Sequence, residues 1–199
     1  MHVADGQAFE PLGFAPEFEV EVAPEFPGTG SWPYPVHAFD LEGRVVQDPV
    51  SRWGAPAVLV VEPAGRAPWV GMFPSSSGGR GLSGAVATPN PRKLCVAVRG
   101  ATYVVDVDRP RQGVLVGWAQ QLVGIGSPAL LLAASADDVV AYGPEGLEWR
   151  SPRLAIDGLR IIDARDGTIT VSDLEGDGRG APVLTTLDVH TGRPAHRRN

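Results

Sequence analysis

The hexapeptide Asp173-Leu174-Glu175-Gly176-Asp177-Gly178 sets a carboxylate at every second position ahead of a glycine. Asp173, Glu175 and Asp177 could wrap one hard cation such as Ca²⁺, and Gly178 would permit the sharp turn. The run then departs from that chemistry. Ala181-Pro182 follow where another acidic ligand is wanted, and Leu184 stands at the twelfth position, where an EF-hand loop carries Glu. With so few ligands, a solvated hairpin loop is the stronger reading.

Other reactive residue types are sparse. Ser75-Ser76-Ser77-Gly78-Gly79-Arg80-Gly81 could cradle an anion on backbone N–H groups. It lacks the Gly-Lys-Ser/Thr ending of a phosphate loop, so composition favours a flexible loop over 74–81. The histidines His2, His37, His190 and His196 have no zinc-type spacing, and Cys95 is the sole cysteine. Cys95 lies in Leu94-Cys95-Val96-Ala97-Val98 and is expected as a small buried hydrophobe. No Gly-x-Ser-x-Gly elbow occurs. Asp137-Asp138 would point to opposite faces of a strand and so would not share a proton; a turn accounts for them better. Asp157, before Gly158, is expected to tie down a turn rather than serve as a base. No catalytic residue and no cofactor is expected.

Binding is the alternative to catalysis. Five tryptophans are present: Trp32, Trp53, Trp69, Trp118 and Trp149. Burial is the usual fate of most tryptophan surface, but an exposed one anchors an interface. Trp149 with Arg150, and Trp32 with Tyr34, are the candidate interface residues.

The elements that must position these groups follow from composition. Gly 25 and Pro 19 among 199 residues argue against a helix bundle and for short strands joined by turns. A 43% hydrophobic content allows a packed core, and a net charge of −6 disfavours broad nucleic-acid binding. No apolar run is long enough for a membrane span and no secretory leader is visible, so a cytoplasmic location is expected.

Residues 1–35 read as a Pro-rich acidic arm with one edge strand. Phe18-Glu19-Val20-Glu21-Val22 alternates apolar and acidic, giving a strand with one wet face, and prolines on both sides suggest an edge. Gly28 to Pro35 reads as irregular. Residues 36–192 read as a β domain, with a frayed tail over 193–199. Within it, hairpins are expected around Glu42-Gly43 and Pro63-Ala64-Gly65-Arg66. Three further strand–turn–strand units turn at Arg99-Gly100-Ala101, Ser135-Ala136-Asp137 and Arg165-Asp166-Gly167. One short helical turn is expected around Trp118 to Leu122.

Hairpins recurring about every 30 to 40 residues are the mark of blade-like β repeats. The runs Tyr103-Val104-Val105-Asp106-Val107, Val140-Ala141-Tyr142-Gly143-Pro144-Glu145-Gly146-Leu147-Glu148-Trp149-Arg150 and Leu187-Asp188-Val189-His190-Thr191-Gly192 carry a resemblance. Over about residues 80–192 the chain resembles an uncharacterised bacterial protein family with β-propeller-like repeats of the PQQ or WD40 kind. The resemblance implies a shared fold and no reaction.

The expectation is an all-β single domain of short antiparallel strands and repeated hairpins, or a partial propeller-like array. Its function is expected to be that of a non-catalytic interaction or accessory protein with a protein partner or a second copy of itself. A small-ligand or Ca²⁺-binding module is the alternative, and an enzyme of unrecognised type with a cleft near Ser75 to Arg80 the weaker one.

Overall fold

A computed structural model describes residues 8–28, 30–47, 54–75, 81–173 and 182–195. The described residues contain no helix; they form strands in four sheets, so the protein is all-β. In chain order the strands are β1 (Phe9–Glu10), β2 (Phe18–Val22), β3 (Val36–Phe39), β4 (Val45–Val46), β5 (Ala57–Pro63) and β6 (Trp69–Phe73). Then come β7 (Gly84–Ala87), β8 (Lys93–Val98), β9 (Ala101–Asp106), β10 (Gly113–Trp118), β11 (Gln121–Gly126) and β12 (Ala129–Ala134). The last are β13 (Val139–Tyr142), β14 (Leu147–Arg150), β15 (Leu159–Arg165), β16 (Thr168–Asp173) and β17 (Val183–Asp188).

Sheet I has the order β2-β5-β6-β3-β4, and sheet II the order β1-β7-β8-β9-β10. Sheets III (β11-β12-β13-β14) and IV (β15-β16-β17) are simple meanders. Each expected hairpin falls inside one sheet: β3–β4 and β5–β6 in sheet I, β8–β9 in II, β12–β13 in III, β15–β16 in IV. Two of these turns need backbone that L-residues resist. Arg99 (φ 47°) with Gly100 (φ 94°), and Asp166 (φ 51°) with Gly167 (φ 74°), are two-residue turns with both residues left-handed. That twist matches the flanking strands, and the glycine carries no Cβ to clash.

Three apolar cores hold the sheets in the order I, II, III, IV. Leu94, Val96 and Val98 of β8 face sheet I, where Phe39 stacks on Phe73 at 4.6 Å. Cys95 and Ala97, on the other face of β8, meet Leu131 and Ala133 of β12. Leu130, Leu132 and Ala134 then face Leu159, Ile169 and Leu187 of sheet IV. The inner sheets are thus buried on both faces. That is why β8 and β12 read as unbroken apolar runs rather than alternations. The terminal sheets have one wet face each: β2 keeps Glu19 and Glu21 exposed while Phe18 is buried.

Polar side chains bridge the sheets as well. The Trp69 indole donates to the Val107 carbonyl (3.0 Å), joining I to II. The buried Gln121 amide joins III to IV. Its Oε1 accepts from the Ile161 N–H (2.8 Å), and its Nε2 donates to the Ile161 carbonyl (3.1 Å).

Two features depart from the sequence reading. The expected helical turn around Trp118 to Leu122 is absent: this stretch ends β10, crosses from sheet II to sheet III and opens β11. Val114, Val116, Val123 and Ile125, with Gly117 and Gly124 among them, are poor helix formers, and β9 and β12 offer ladders on either side. The N-terminal segment also contributes a second strand: β1 pairs in parallel with β7, while β2 takes the edge of sheet I. At the other end, Ala195 donates to the Thr186 carbonyl (2.8 Å) and Leu187 bridges Pro194, so residues 193–195 run back along β17.

Candidate functional site

Of the calcium candidate, Asp173 closes β16 opposite Val183. Glu175 and Asp177 lie outside the described residues. Among the described residues no group of three or more His, Cys, Asp or Glu is placed to hold a metal. His37 is half-buried, 5.6 Å edge-on to Trp69; burial, and then the nearby Arg111 charge, lowers its pKa. His190 is exposed on the turn after β17. Cys95 is buried in the core between sheets II and III, which pushes its thiol up to about 12. A thiol so shielded is inert as a nucleophile.

The adjacent carboxylates sit in a turn, as their residue types imply, but they do not diverge. Ser135 Oγ lies 3.0 Å from Asp137 Oδ1 and 2.6 Å from Asp138 Oδ1, and accepts from both Asp backbone N–H groups. The expectation of opposite-facing side chains assumed a strand; the turn at Ser135 folds both back onto one hydroxyl. Arg150 pairs with Asp138 (3.3 Å) and Arg153 with Asp137 (3.5 Å). The Asp137 carbonyl also accepts from Leu154 (2.7 Å), which pins the loop entering sheet IV. A cavity of only about 90 Å³ adjoins Asp138 and Arg150. That is below the roughly 300 Å³ of a small-molecule pocket, so this cluster closes a turn and joins two sheets. Asp157 is exposed in the bend before β15.

The tryptophans divide between core and surface. Trp149 is 8% exposed and its indole donates to the Val189 carbonyl (2.9 Å), so its ring belongs to the core between sheets III and IV. Arg150 beside it is exposed. Trp118 donates to the Arg99 carbonyl (3.2 Å). Trp53 lies outside the described residues.

Trp32 and Tyr34 lie in a different setting. The segment from Ala23 to Pro35 is tied to sheet I at its ends: Ala23 donates to the Val58 carbonyl and Val70 to the Pro35 carbonyl, both 2.9 Å. Between these ties, prolines prevent a ladder and the chain is irregular. Phe26 packs edge-on against Trp32, centroids 5.5 Å apart. Phe26 is 61% exposed, Tyr34 38% and Val36 45%. The Trp32 Nε1 is buried with no hydrogen-bond partner among the described residues. Sequence reasoning passed over Phe26 and Val36; their place in the same proline-punctuated run was the available signal. It also missed Ser135, whose role depends on how the turn closes.

No helix among the described residues is long and apolar enough to cross a membrane. Compared with known proteins, the chain matches no family model and no curated protein.

Proposed function

We propose that this chain is a non-catalytic interaction or accessory protein, working in the cytoplasm, whose four sheets form a partial propeller-like array. The partner is another protein or a second copy. The observation that carries the reading is the aromatic, proline-punctuated arm over 24–36. It exposes Phe26, Tyr34 and Val36 on a segment fixed at both ends. Large aromatics on a pre-set backbone lose little entropy on binding, which is what an interface anchor needs. The Trp32 N–H, buried without a partner among the described residues, costs on the order of 1–3 kcal/mol in the free state. The Ser135–Asp137–Asp138 cluster supports the non-catalytic part of the reading, because every group in it is committed to a turn or an ion pair.

The test is affinity capture of the tagged full chain from lysate of its own source, beside a Trp32→Ala/Tyr34→Ala double variant. A stoichiometric partner lost by the variant supports the reading. A partner retained by the variant, or a chain that is monomeric and captures nothing, overturns it.

A further inference from the structure

Sheet I holds β2 and β3 with β5 and β6 between them. β2 runs antiparallel to β5, β5 antiparallel to β6, and β6 parallel to β3, so β2 and β3 run parallel. A connection between parallel strands of one sheet must cross a face of it. The inner face of sheet I is filled by its core with sheet II. The segment joining Ala23 to Pro35 therefore crosses the outer face. Glu21, Val60, Val70 and Val36 form one row across that face, and Val70 is fully buried in it although sheet I ends the stack. The crossing segment is what covers it.

The crossing leaves large apolar side chains outside. Phe26 and Tyr34 stay exposed on the segment, and Val36 at the end of the row. Trp32, edge-on to Phe26, keeps its Nε1 buried and without a partner among the described residues. Aromatic rings set over a covered sheet offer large contact area at little cost in conformational freedom.

Charge selects the partner. Glu21 begins the row that Val36 ends, Glu19 and Glu62 lie beside it on the same face, and Glu25 precedes Phe26. All four carboxylates are exposed, and no ion pair reaches any of them among the described residues. Nearby acids are treated differently: Glu17 pairs with Arg92, and Asp108 with Arg66 and Arg92. Glu19 stands directly opposite Glu62, a like-charge pair that costs stability. A cation supplied from outside relieves that repulsion. A second copy laid on the same face would instead set these carboxylates against their own equivalents.

We propose that this face docks a basic segment of another protein, with its Arg or Lys groups on Glu19, Glu21 and Glu62 and over the rings of Phe26 and Tyr34. The inference rests on the interaction reading above and names the chemistry of the partner. The row from Glu21 to Val36 spans three strand spacings, about 14 Å, the reach of four or five extended residues.

The experiment is a fluorescence-anisotropy titration of labelled octa-arginine with the full chain at low salt, with octa-glutamate as control. Octa-arginine should bind at least about tenfold more tightly than octa-glutamate, and weaken about tenfold as salt rises from about 50 to about 500 mM. Two variants matched in charge carry the decision. Glu19→Gln/Glu62→Gln should weaken octa-arginine about fivefold or more, while its thermal midpoint holds or rises because the opposed charges are gone. Glu145→Gln/Asp157→Asn removes two exposed carboxylates elsewhere and should change affinity by less than about twofold. Phe26→Ser/Tyr34→Ser should weaken binding about fivefold through the lost rings. Equal losses in the two charge variants, unchanged affinity in the folded Phe26→Ser/Tyr34→Ser chain, or no binding at low salt would overturn the proposal. The interaction reading is judged apart from it. A partner captured through Trp32 and Tyr34 that is acidic and stays bound at high salt keeps that reading and overturns this one; a basic partner released by salt supports both.

Discussion

Replacing Gln121 tests the idea that single polar side chains stitch the sheets together. Gln121 is 7% exposed and Ile161 5%, so neither end of the bridge is well served by water. Gln121→Ala deletes its two hydrogen bonds to Ile161, worth about 1 kcal/mol each, and leaves the Ile161 N–H and carbonyl without that partner. The expected loss is about 2–3 kcal/mol, or roughly 5–10 °C in midpoint for a chain of this size. Gln121→Glu sharpens the test. An ionised carboxylate can accept from the Ile161 N–H, but it sets a second oxygen against the Ile161 carbonyl. Only the protonated acid restores the donor, so the pKa of the introduced carboxyl is raised in the folded state. A raised pKa means that stability is present below the unfolded value, about 4.3 for Glu, and is lost as pH rises through the folded value. The gap between Gln121→Glu and the parent should therefore be small near pH 4 and widen towards pH 7. Urea unfolding followed by far-ultraviolet dichroism at both pH values reads it. A Gln121→Ala loss below about 0.5 kcal/mol, or a gap that does not change with pH, would refute the bridge as a structural element.

Leu131 is fully buried on β12, and Leu131→Ala should cost about 2–5 kcal/mol in chemical denaturation. Gly100→Ala should destabilise more than an ordinary surface change, because its Cβ would meet the Trp118 indole at φ 94°; a midpoint within a degree of the parent would count against the turn geometry. Cys95 should resist a thiol reagent at pH 8 until the chain unfolds, given a thiol pushed up to about 12; fast labelling of native protein would contradict its burial. The Thr191 hydroxyl, and then backbone N–H groups, hold the Asp188 carboxyl below its ordinary value, so its contribution is present above the unfolded pKa and fades as pH falls through the folded one. Asp188→Asn should accordingly flatten the acid side of the stability profile, read by thermal melts between pH 2 and 5. Calcium at millimolar concentration should evolve no heat, given the ligand shortfall after Asp177.

What the sequence disclosed was local. Asp166-Gly167 announces a left-handed hairpin because only a few residue types accept that backbone, and Arg99-Gly100 shows half of the same signal. The run Leu94 to Val98 reads as a buried strand because a sheet covered on both faces has no reason to alternate. The alternation in Phe18 to Val22 reads equally well, since sheet I ends there in water. What stayed hidden depends on distant pairing. Phe9 and Glu10 form a strand only because β7 has an open side to receive them in parallel. The stretch from Gly113 to Gly126 carries apolar residues and glycines that suit no element strongly, and the neighbouring ladders decided it. Ser135 gathers two carboxylates that a strand would have separated. In the candidate site, the Trp32–Tyr34 segment was legible through its prolines, whereas the exposure of Phe26 and the burial of Trp149 depend on what packs against each ring.

The same distinction locates the sites worth testing. Within a sheet, neighbours are close in sequence, and hairpin chemistry shows through. Between sheets, the contacts join residues far apart in the chain: Trp69 to Val107, Gln121 to Ile161, Trp149 to Val189. These seams carry the buried polar bridges.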